Sequence, residues 1–152
     1  MLIRCIRKDE YNEVDRLMQQ LHKIHVNGRP DLYVDLEHPY SKEDFEKLVD
    51  NEEVISIAAE EQGVILGICF VSMRNKSGMV TMRTAYMDDL VVDEKFQRRG
   101  IAKKLFVEAE KRAKALGAER LDLMVWSFNE SAKNLYESLG MKTQRCIYEK
   151  KL

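Results

Sequence analysis

The stretch that decides the fold is residues 93–106, DEKFQRRGIAKKLF, where two arginines and a glycine directly precede a predicted amphipathic helix. A helix dipole already places partial positive charge at its start, so cations there are unfavourable unless they bind an anion. Free backbone N–H groups at a helix start favour a phosphate, and the small Gly100 and Ala102 let a ligand approach the main chain. The pattern predicts an anion site suited to a diphosphate, or alternatively a solvated basic turn.

Two common nucleotide motifs are missing from the chain. A phosphate-binding P-loop requires GxxxxGK[ST] and a dinucleotide fingerprint requires GxGxxG, and neither string occurs. The predicted anion site is therefore of another kind.

Composition limits the possible classes of protein. The chain has 152 residues, 45% hydrophobic and 34% charged, which favours one folded domain over residues 1–152. Its net charge of -1 shows no basic excess, so we expect no nucleic-acid partner. Cys5, Cys69 and Cys146 form no CxxC pair, which favours reduced thiols and a cytoplasmic location. No apolar run approaches the roughly 18 residues of a membrane span, and the first residues show no signal peptide.

Hydrophobic periodicity predicts a mixed α/β domain. The predicted order is strand, two helices, a three-stranded meander, helix, strand, helix and a last strand. Ser41 and Asn129 are predicted N-caps, and Gly117 is predicted to end the helix that begins at Ile101. The predicted strands cover residues 2–7, 53–61, 64–73, 79–92, 121–126 and 141–152.

Three segments together carry a resemblance to a known family. The run QRRGIA, residues 97–102, resembles the Q/RxxGxG/A signature of the GNAT superfamily of N-acetyltransferases, with alanine at 102 where many members have glycine. The preceding DDLVV resembles the splayed fourth strand of that family, and NESAKNLYESLGM resembles its later helix. The resemblance implies a central mixed, mostly antiparallel sheet flanked by helices, and acetyl-CoA as cosubstrate.

The resemblance also implies where the cofactor binds. The pantetheine arm would lie along Leu90, Val91 and Val92 as an extra strand, where a main-chain N–H near Val91 or Val92 would polarise the thioester carbonyl. The other implied cofactor residues are Gln97, Arg98, Arg99, Gly100, Ile101, Ala102, Lys103, Asn129 and Tyr136.

Catalysis on an amine requires a base and a proton donor. Deprotonating a lysine-like amine at pH 7 costs roughly 4–5 kcal/mol, and a nearby carboxylate lowers that barrier. YMDD resembles the acidic pair of polyamine acetyltransferases, which implies Asp88 as base, with Asp89 structural and on the opposite face of the strand. Tyr136 matches the family phenol that protonates the leaving thiolate. The alternative for Asp88 and Asp89 is that both are solvated charges at the end of the strand. The alternative for Tyr136 is that it is an aromatic residue of the core.

The acceptor site is the least defined in the sequence. In the GNAT superfamily the region after the first helices often helps to form the acceptor pocket, which implies His25, Arg29 and Tyr33, together with Asp88, as substrate residues. His22 and His25 lie three apart on a predicted helix, but no third ligand is evident, so we expect no metal site.

The predicted function is therefore transfer of an acetyl group from acetyl-CoA to a primary amine by direct attack in a ternary complex. The acceptor would be a small molecule or a peptide. A covalent route through Cys69 or Cys146 is disfavoured because neither lies beside a histidine in the sequence. The alternative within the fold is a non-catalytic acyl-CoA sensor, and the terminal strand would allow a homodimer.

Overall fold

The computed structural model describes residues 1–75 and 80–152, and it contains one sheet with helices on both faces. The predicted strand over 79–92 therefore begins, at Met79, outside the described residues. The elements are β1 (Leu2–Cys5), α1 (Tyr11–Gly28), α2 (Lys42–Asp50), β2 (Val54–Glu61), β3 (Val64–Asn75), β4 (Arg83–Val92), α3 (Ile101–Ala115), β5 (Arg120–Leu123) and α4 (Glu130–Ser138).

The sheet has the strand order β1-β2-β3-β4-β5, with antiparallel pairing everywhere except between β4 and β5. The turn between β2 and β3 uses Gln62 and Gly63, both with positive φ (52° and 79°), as a tight hairpin requires. Parallel β4 and β5 need a crossover, and α3 supplies it. The predicted mixed, mostly antiparallel sheet is confirmed.

The sheet separates two hydrophobic clusters. Alternate residues of the same strand point to opposite faces, so that Cys69 packs with α3 while Phe70 packs with α1 and α2. Leu105 of α3 and Phe45 of α2 are both fully buried. These two clusters fix α3 and the helical pair α1 and α2 against the central strands, and thereby position the loops that follow β4 and α1.

Local signals explain where three helices begin and end. Ser41 Oγ accepts from the backbone N–H of Asp44 at 3.1 Å, and Asn129 Oδ1 accepts from that of Ala132 at 3.2 Å. Both contacts are N-caps, as the sequence predicts. Gly117 follows α3 with φ 88°, the left-handed conformation that ends helices.

The predicted last strand is wrong for this chain. Residues 141–152 contain no strand, and nearly all of the segment is exposed. The predicted strand over 121–126 is also shorter, because β5 ends at Leu123. A segment with strand propensity forms a strand only when a neighbour is present to pair with it, and residues 1–75 and 80–140 supply none for residues 141–152.

Candidate functional site

The site begins where β4 and β5 separate. β5 pairs with β4 only over Thr84–Met87. In the described part of the chain, residues 88–92 of β4 therefore have no neighbouring strand on the side of β5. Their backbone groups there are open except for Val92 O, which receives a long 3.4 Å contact from Gln97 Nε2. An exposed strand edge of this kind accepts an extended ligand as an added strand. Leu90, Val91 and Val92 all lie on this edge.

The loop into α3 leaves the positive end of that helix open. Gly100 is the N-cap in the left-handed conformation (φ 74°); no side chain caps the helix, and no acidic residue lies in its first turn. A Cβ added to Gly100 would meet no atom within 4 Å. Uncapped N–H groups and the helix dipole together favour an anion at this point.

The two arginines of the loop differ. Arg98 has positive φ (62°), which is uncommon for a residue with a side chain, and it has no polar partner among the described residues. Arg99 donates to Glu61 at 2.7 Å and lies 5.7 Å from the ring of Phe96. Lys103 is exposed on the first turn of α3. Arg98 is therefore the arginine whose guanidinium is available to a ligand.

A β-bulge sets the direction of the acid pair. Phe70 pairs with Asp89 and Val71 pairs with Met87, so Asp88 is an extra residue on β4. Met87 and Leu90 both pack in the α3 cluster, which shows that the alternation changes phase at the bulge. Asp88 and Asp89 therefore share a face, and the predicted opposite orientation is wrong. No motif in the sequence predicts this bulge.

Asp89 lies in a partly enclosed position on the side of α1 and α2. The Tyr40 hydroxyl donates to its Oδ2 at 2.7 Å. Burial raises the pKa of Asp89 to about 6; the Tyr40 hydrogen bond lowers it, and the charge of Asp88 raises it. Burial, with the charge of Asp89, raises the pKa of Tyr40 above its usual range, so this phenol remains the donor. A carboxylate with a pKa near neutrality is suited to accept a proton.

Asp88 is the more exposed acid. Its Oδ1 accepts from Arg74 Nη2 at 2.7 Å, and the Arg74 guanidinium lies 3.7 Å from the centre of the Tyr86 ring. Asp88 is thus held in an ion pair at the surface of the strand, whereas Asp89 is held by a neutral phenol. The two adjacent acids have different environments.

Tyr136 of α4 lies on the same face of the sheet as α3. It packs in the same cluster as Leu90, Val92 and Ile101, with its ring centre 6.3 Å from that of Phe106. Its hydroxyl has no hydrogen-bond partner among the described residues. Burial is the main cause that raises the pKa of Tyr136 to about 12, and the charge of Asp89 adds to it. The phenol stays protonated near neutral pH and can donate a hydrogen bond.

Cys69 is fully buried on β3, and burial raises the pKa of its thiol above its usual range. A thiol that remains protonated is a poor nucleophile. Together with burial, this disfavours a covalent route through Cys69.

Three of the predicted substrate residues lie together at the end of α1. The rings of His25 and Tyr33 stack at 5.2 Å, and the Tyr33 hydroxyl accepts from Trp126 Nε1 at 2.8 Å. Arg29 lies 5.1 Å from the centre of the Trp126 ring and forms two 2.8 Å hydrogen bonds to Glu149. Burial and the neighbouring His22 lower the pKa of His25. Asp88, in contrast, pairs with Arg74 rather than with this group.

Sequence reasoning missed two residues of this region. Tyr40 lies at the end of the α1–α2 loop, 49 positions from Asp89, and no spacing rule links the two. The sequence predicts Trp126 as the end of a strand, but Trp126 follows β5 and packs with Tyr33 and Phe128. The contacts of Tyr40 and Trp126 form only when the α1–α2 loop folds over β4 and β5, so the sequence does not predict them.

The described residues contain no group of three or more histidine, cysteine, aspartate or glutamate side chains placed to hold a metal ion. Across residues 1–75 and 80–152, no helix has the length and apolarity to cross a membrane.

Comparison with known proteins gives consistent findings. The profile of the Acetyltransferase (GNAT) family matches residues 16–141. The chain is 27% identical over 147 residues to an acetyltransferase of Pectobacterium atrosepticum, covering 97% of this chain and 92% of that protein. It is 31% identical to a tetramutant of the BH1408 protein from Bacillus halodurans, with a TM-score of 0.95 and 100% of both chains covered.

A more distant structure shares the fold. The complex of AAC(6')-Iy with a bisubstrate analogue, CoA-S-monomethyl-acetylneamine, is 21% identical to this chain, with a TM-score of 0.76. The alignment covers 99% of this chain and 97% of that one.

Proposed function

Since this chain belongs to the GNAT family of acetyltransferases, we propose that it transfers an acetyl group from acetyl-CoA to a primary amine by direct attack within a ternary complex. The observation that carries the proposal is the uncapped start of α3 beside the free edge of β4. One feature suits a diphosphate and the other suits an extended amide-bearing arm. Acetyl-CoA carries both groups, and the fold neighbour AAC(6')-Iy holds a CoA-derived ligand.

The cofactor would bind along two adjoining surfaces. Arg98 and the first N–H groups of α3 contact the diphosphate, with Gln97, Arg99, Gly100, Ile101, Ala102 and Lys103 around it. The pantetheine arm adds to the edge at Leu90–Val92. A free N–H on that edge faces the thioester oxygen and stabilises the negative charge that develops on it. Asn129 caps α4, the helix that carries Tyr136, and both residues would lie near the same arm.

Asp89 is the better candidate for the base than the sequence-predicted Asp88. Its raised pKa, to about 6, makes it a stronger proton acceptor that is still ionised at pH 7. Asp88 is engaged by Arg74. Asp89, directly or through a water molecule, takes the proton from the attacking amine. The amine nitrogen then bonds to the thioester carbon, the C–S bond breaks, and the second proton that the nitrogen loses passes to the departing thiolate.

Tyr136 would assist the departing thiolate. Its hydroxyl has no hydrogen-bond partner in the described part of the chain and stays protonated near neutral pH, so it donates a hydrogen bond to the sulfur as negative charge develops there. The acceptor amine enters from the side of His25, Arg29 and Tyr33. The acceptor is a small-molecule or peptide amine.

Calorimetry on acetyl-CoA tests the cofactor site. Gly100→Glu puts bulk and negative charge where the diphosphate binds, so we expect at least a tenfold weaker Kd, which corresponds to about 1.4 kcal/mol. Gly117→Glu is the matched control, because Gly117 also has positive φ (88°) but lies at the other end of α3. Wild-type protein that does not bind acetyl-CoA would end the proposal. Binding without thiol release on any amine of a broad panel would instead indicate a sensor.

A pair of isosteric variants tests the base. We expect Asp89→Asn to lower kcat for thiol release by roughly 10²–10⁴, and Asp88→Asn to change it only a few-fold. Loss of fold cannot explain this result, because Asp89→Asn should be stabilising at pH 7. The pKa of Asp89 in the folded protein lies above the ordinary aspartate value of 3.8, so ionisation between about pH 4 and 6 destabilises the folded state by roughly 2–3 kcal/mol. A larger loss of kcat in Asp88→Asn than in Asp89→Asn would indicate that Asp88 is the base.

A further inference from the structure

The loop between α1 and α2 is attached to α1 by an ion pair that takes no part in the proposed chemistry. His38 Nδ1 lies 2.8 Å from Asp15 Oδ2, which also accepts from Gln19 Nε2 at 2.8 Å. Asp15 is only 6% exposed, and its Oδ1 has no hydrogen-bond partner among the described residues. A buried carboxylate is costly unless an opposite charge balances it, and the described residues offer Asp15 one cationic partner, His38.

His38 carries a charge at the pH where Asp89 titrates. Its hydrogen bond to Asp15, followed by the negative charge of Asp15, raises the pKa of His38 from its usual 6.5, and Glu37 at 3.9 Å adds to the effect. Near pH 6 the imidazole is therefore mostly protonated, and its contact with Asp15 is a charge-assisted hydrogen bond. Bonds of this kind are roughly twice as strong as those between neutral groups.

A single rigid residue, Pro39, joins His38 to Tyr40. Proline has a fixed φ, and the residue before a proline is restricted to extended backbone. At one end of this tripeptide His38 contacts α1, and at the other end the Tyr40 hydroxyl donates to Asp89 of β4 at 2.7 Å. Because few backbone torsions lie between the two anchors, the position of His38 limits where the Tyr40 hydroxyl can lie.

The Tyr11 hydroxyl contacts the same tripeptide but holds it less strongly. It donates to the backbone oxygen of Tyr40 at 2.7 Å, which is a hydrogen bond between neutral groups. The Tyr11 ring also packs against Phe45 with the ring centres 5.5 Å apart, so the ring stays in place without its hydroxyl. The ion pair of Asp15 and His38 is therefore the stronger anchor.

We propose that Asp15 and His38 are positioning residues, which hold the Tyr40 hydroxyl in hydrogen-bond contact with the base Asp89. Their role rests on the proposed function, in which Asp89 takes the proton from the amine. The Tyr40 hydrogen bond favours the ionised form of Asp89 and lowers its pKa. Loss of the ion pair should therefore weaken that bond and raise the pKa of Asp89.

Few other groups influence the titration of Asp89. The titratable groups that face it, besides Tyr40, are Asp88 on β4, Cys69 on β3 and Tyr136 on α4. Burial raises the pKa of the thiol and that of the phenol, so both stay neutral near pH 6. Asp88 is unaltered in all the variants, so the contact of Asp89 that they change is the Tyr40 hydrogen bond.

Titration of the Asp89 carboxyl by carbon NMR, together with a pH–rate profile for thiol release, tests the positioning role. In His38→Ala the pKa of Asp89 should rise by roughly half a unit, and the acidic limb of kcat/KM should move up with it. Asp15→Asn should shift both in the same direction. His38→Gln keeps an N–H donor for Asp15, so it should shift the pKa less than His38→Ala does.

A double variant separates positioning from other effects of the imidazole. Tyr40→Phe already lacks the hydroxyl, so His38→Ala added to it should shift the pKa of Asp89 no further. A further shift would show that His38 acts on Asp89 by another route and would overturn the proposal. His22→Ala is the matched control, because His22 Nε2 also holds the loop, 2.7 Å from the backbone oxygen of Val34, but does not touch the tripeptide of Tyr40. It should leave the pKa of Asp89 at the wild-type value.

Two other results would overturn the proposal: no shift in His38→Ala, or an equal shift in His22→Ala, which would indicate a general loosening of the loop. His38→Ala leaves Asp15 without its cation, so far-UV circular dichroism checks its fold. If it unfolds, the double variant with Asp15→Asn, which has no unpaired charge, replaces it with the same expectation. The NMR titration does not depend on turnover. A raised pKa in protein that releases no thiol would support the positioning role and contradict the proposed reaction.

Discussion

The hydrogen bond from Tyr40 to Asp89 connects the α1–α2 loop with the proposed base, and it makes the pH dependence of the reaction testable. The carboxylate of Asp89 must be ionised to accept a proton. With its pKa near 6, kcat/KM should fall as the pH drops through about 6. Tyr40→Phe removes a hydrogen bond that favours the ionised form, so the pKa should rise and the acidic limb should move up by about one pH unit.

A pH–rate profile for thiol release measures this shift. Tyr11→Phe is the matched control, because the Tyr11 hydroxyl donates to the backbone oxygen of Tyr40 (2.7 Å) rather than to Asp89. The Tyr11→Phe variant also loses a phenolic hydroxyl in this region, but the acidic limb of its pH–rate profile should stay at the wild-type position. Equal shifts in both variants, or none in Tyr40→Phe, would show that Tyr40 does not tune the base.

At the same scale, the residues of the anion loop could be read from the sequence, whereas the acid pair could not. The loop depends on local backbone geometry, so a six-residue motif specifies it. The direction of Asp88 and Asp89 depends on a bulge in the pairing with β3, and the pKa of Asp89 depends on Tyr40, 49 positions away. Neither relation leaves a local pattern.

The N-cap of α4 gives a prediction at the scale of one element. Asn129→Ala removes the side-chain acceptor of the Ala132 N–H and should lower the free energy of unfolding by about 1 kcal/mol. Because α4 carries Tyr136, fraying of its first turn should also lower kcat for thiol release several-fold. Chemical denaturation and steady-state kinetics on the same samples measure the two effects.

Ser41→Ala provides the comparison, since Ser41 caps α2 in the same manner. It should cost a similar amount of stability and leave kcat unchanged, because α2 carries no proposed catalytic group. If both variants lose kcat in proportion to stability, the effect of Asn129 is a general loss of fold.

Among the elements, helices were the most predictable, because their caps and stop signals are local. Ser41, Asn129 and Gly117 each lie at the boundary that the sequence indicates. The prediction of the last strand was wrong because the formation of a strand does not depend on local signals alone. Residues 141–152 have strand propensity, but a strand exists only where a second edge meets it, and the described part of one chain supplies none.

At the scale of the whole molecule, the two hydrophobic clusters share the same strands. Ile57 packs with α3, whereas its neighbour Ala58 packs with α1 and α2. A loss of packing on one face therefore weakens the strands that support the other. The sequence prediction of one domain over residues 1–152 implies that both faces unfold together.

Two core substitutions on opposite faces test this coupling. Phe45→Ala on α2 and Leu105→Ala on α3 both remove fully buried side chains and should cost about 3–5 and 2–5 kcal/mol, respectively. In each variant, Trp126 fluorescence and far-UV circular dichroism should report one transition with the same midpoint and an unchanged m-value. Val107→Ala, at a half-exposed position of α3, should stay within about 0.5 kcal/mol of wild type. Protein concentration is held constant, because any association of copies would add to the apparent stability by mass action. Two separate midpoints in Phe45→Ala would mean that the α1–α2 face unfolds by itself, and residues 1–152 would then comprise two cooperative units.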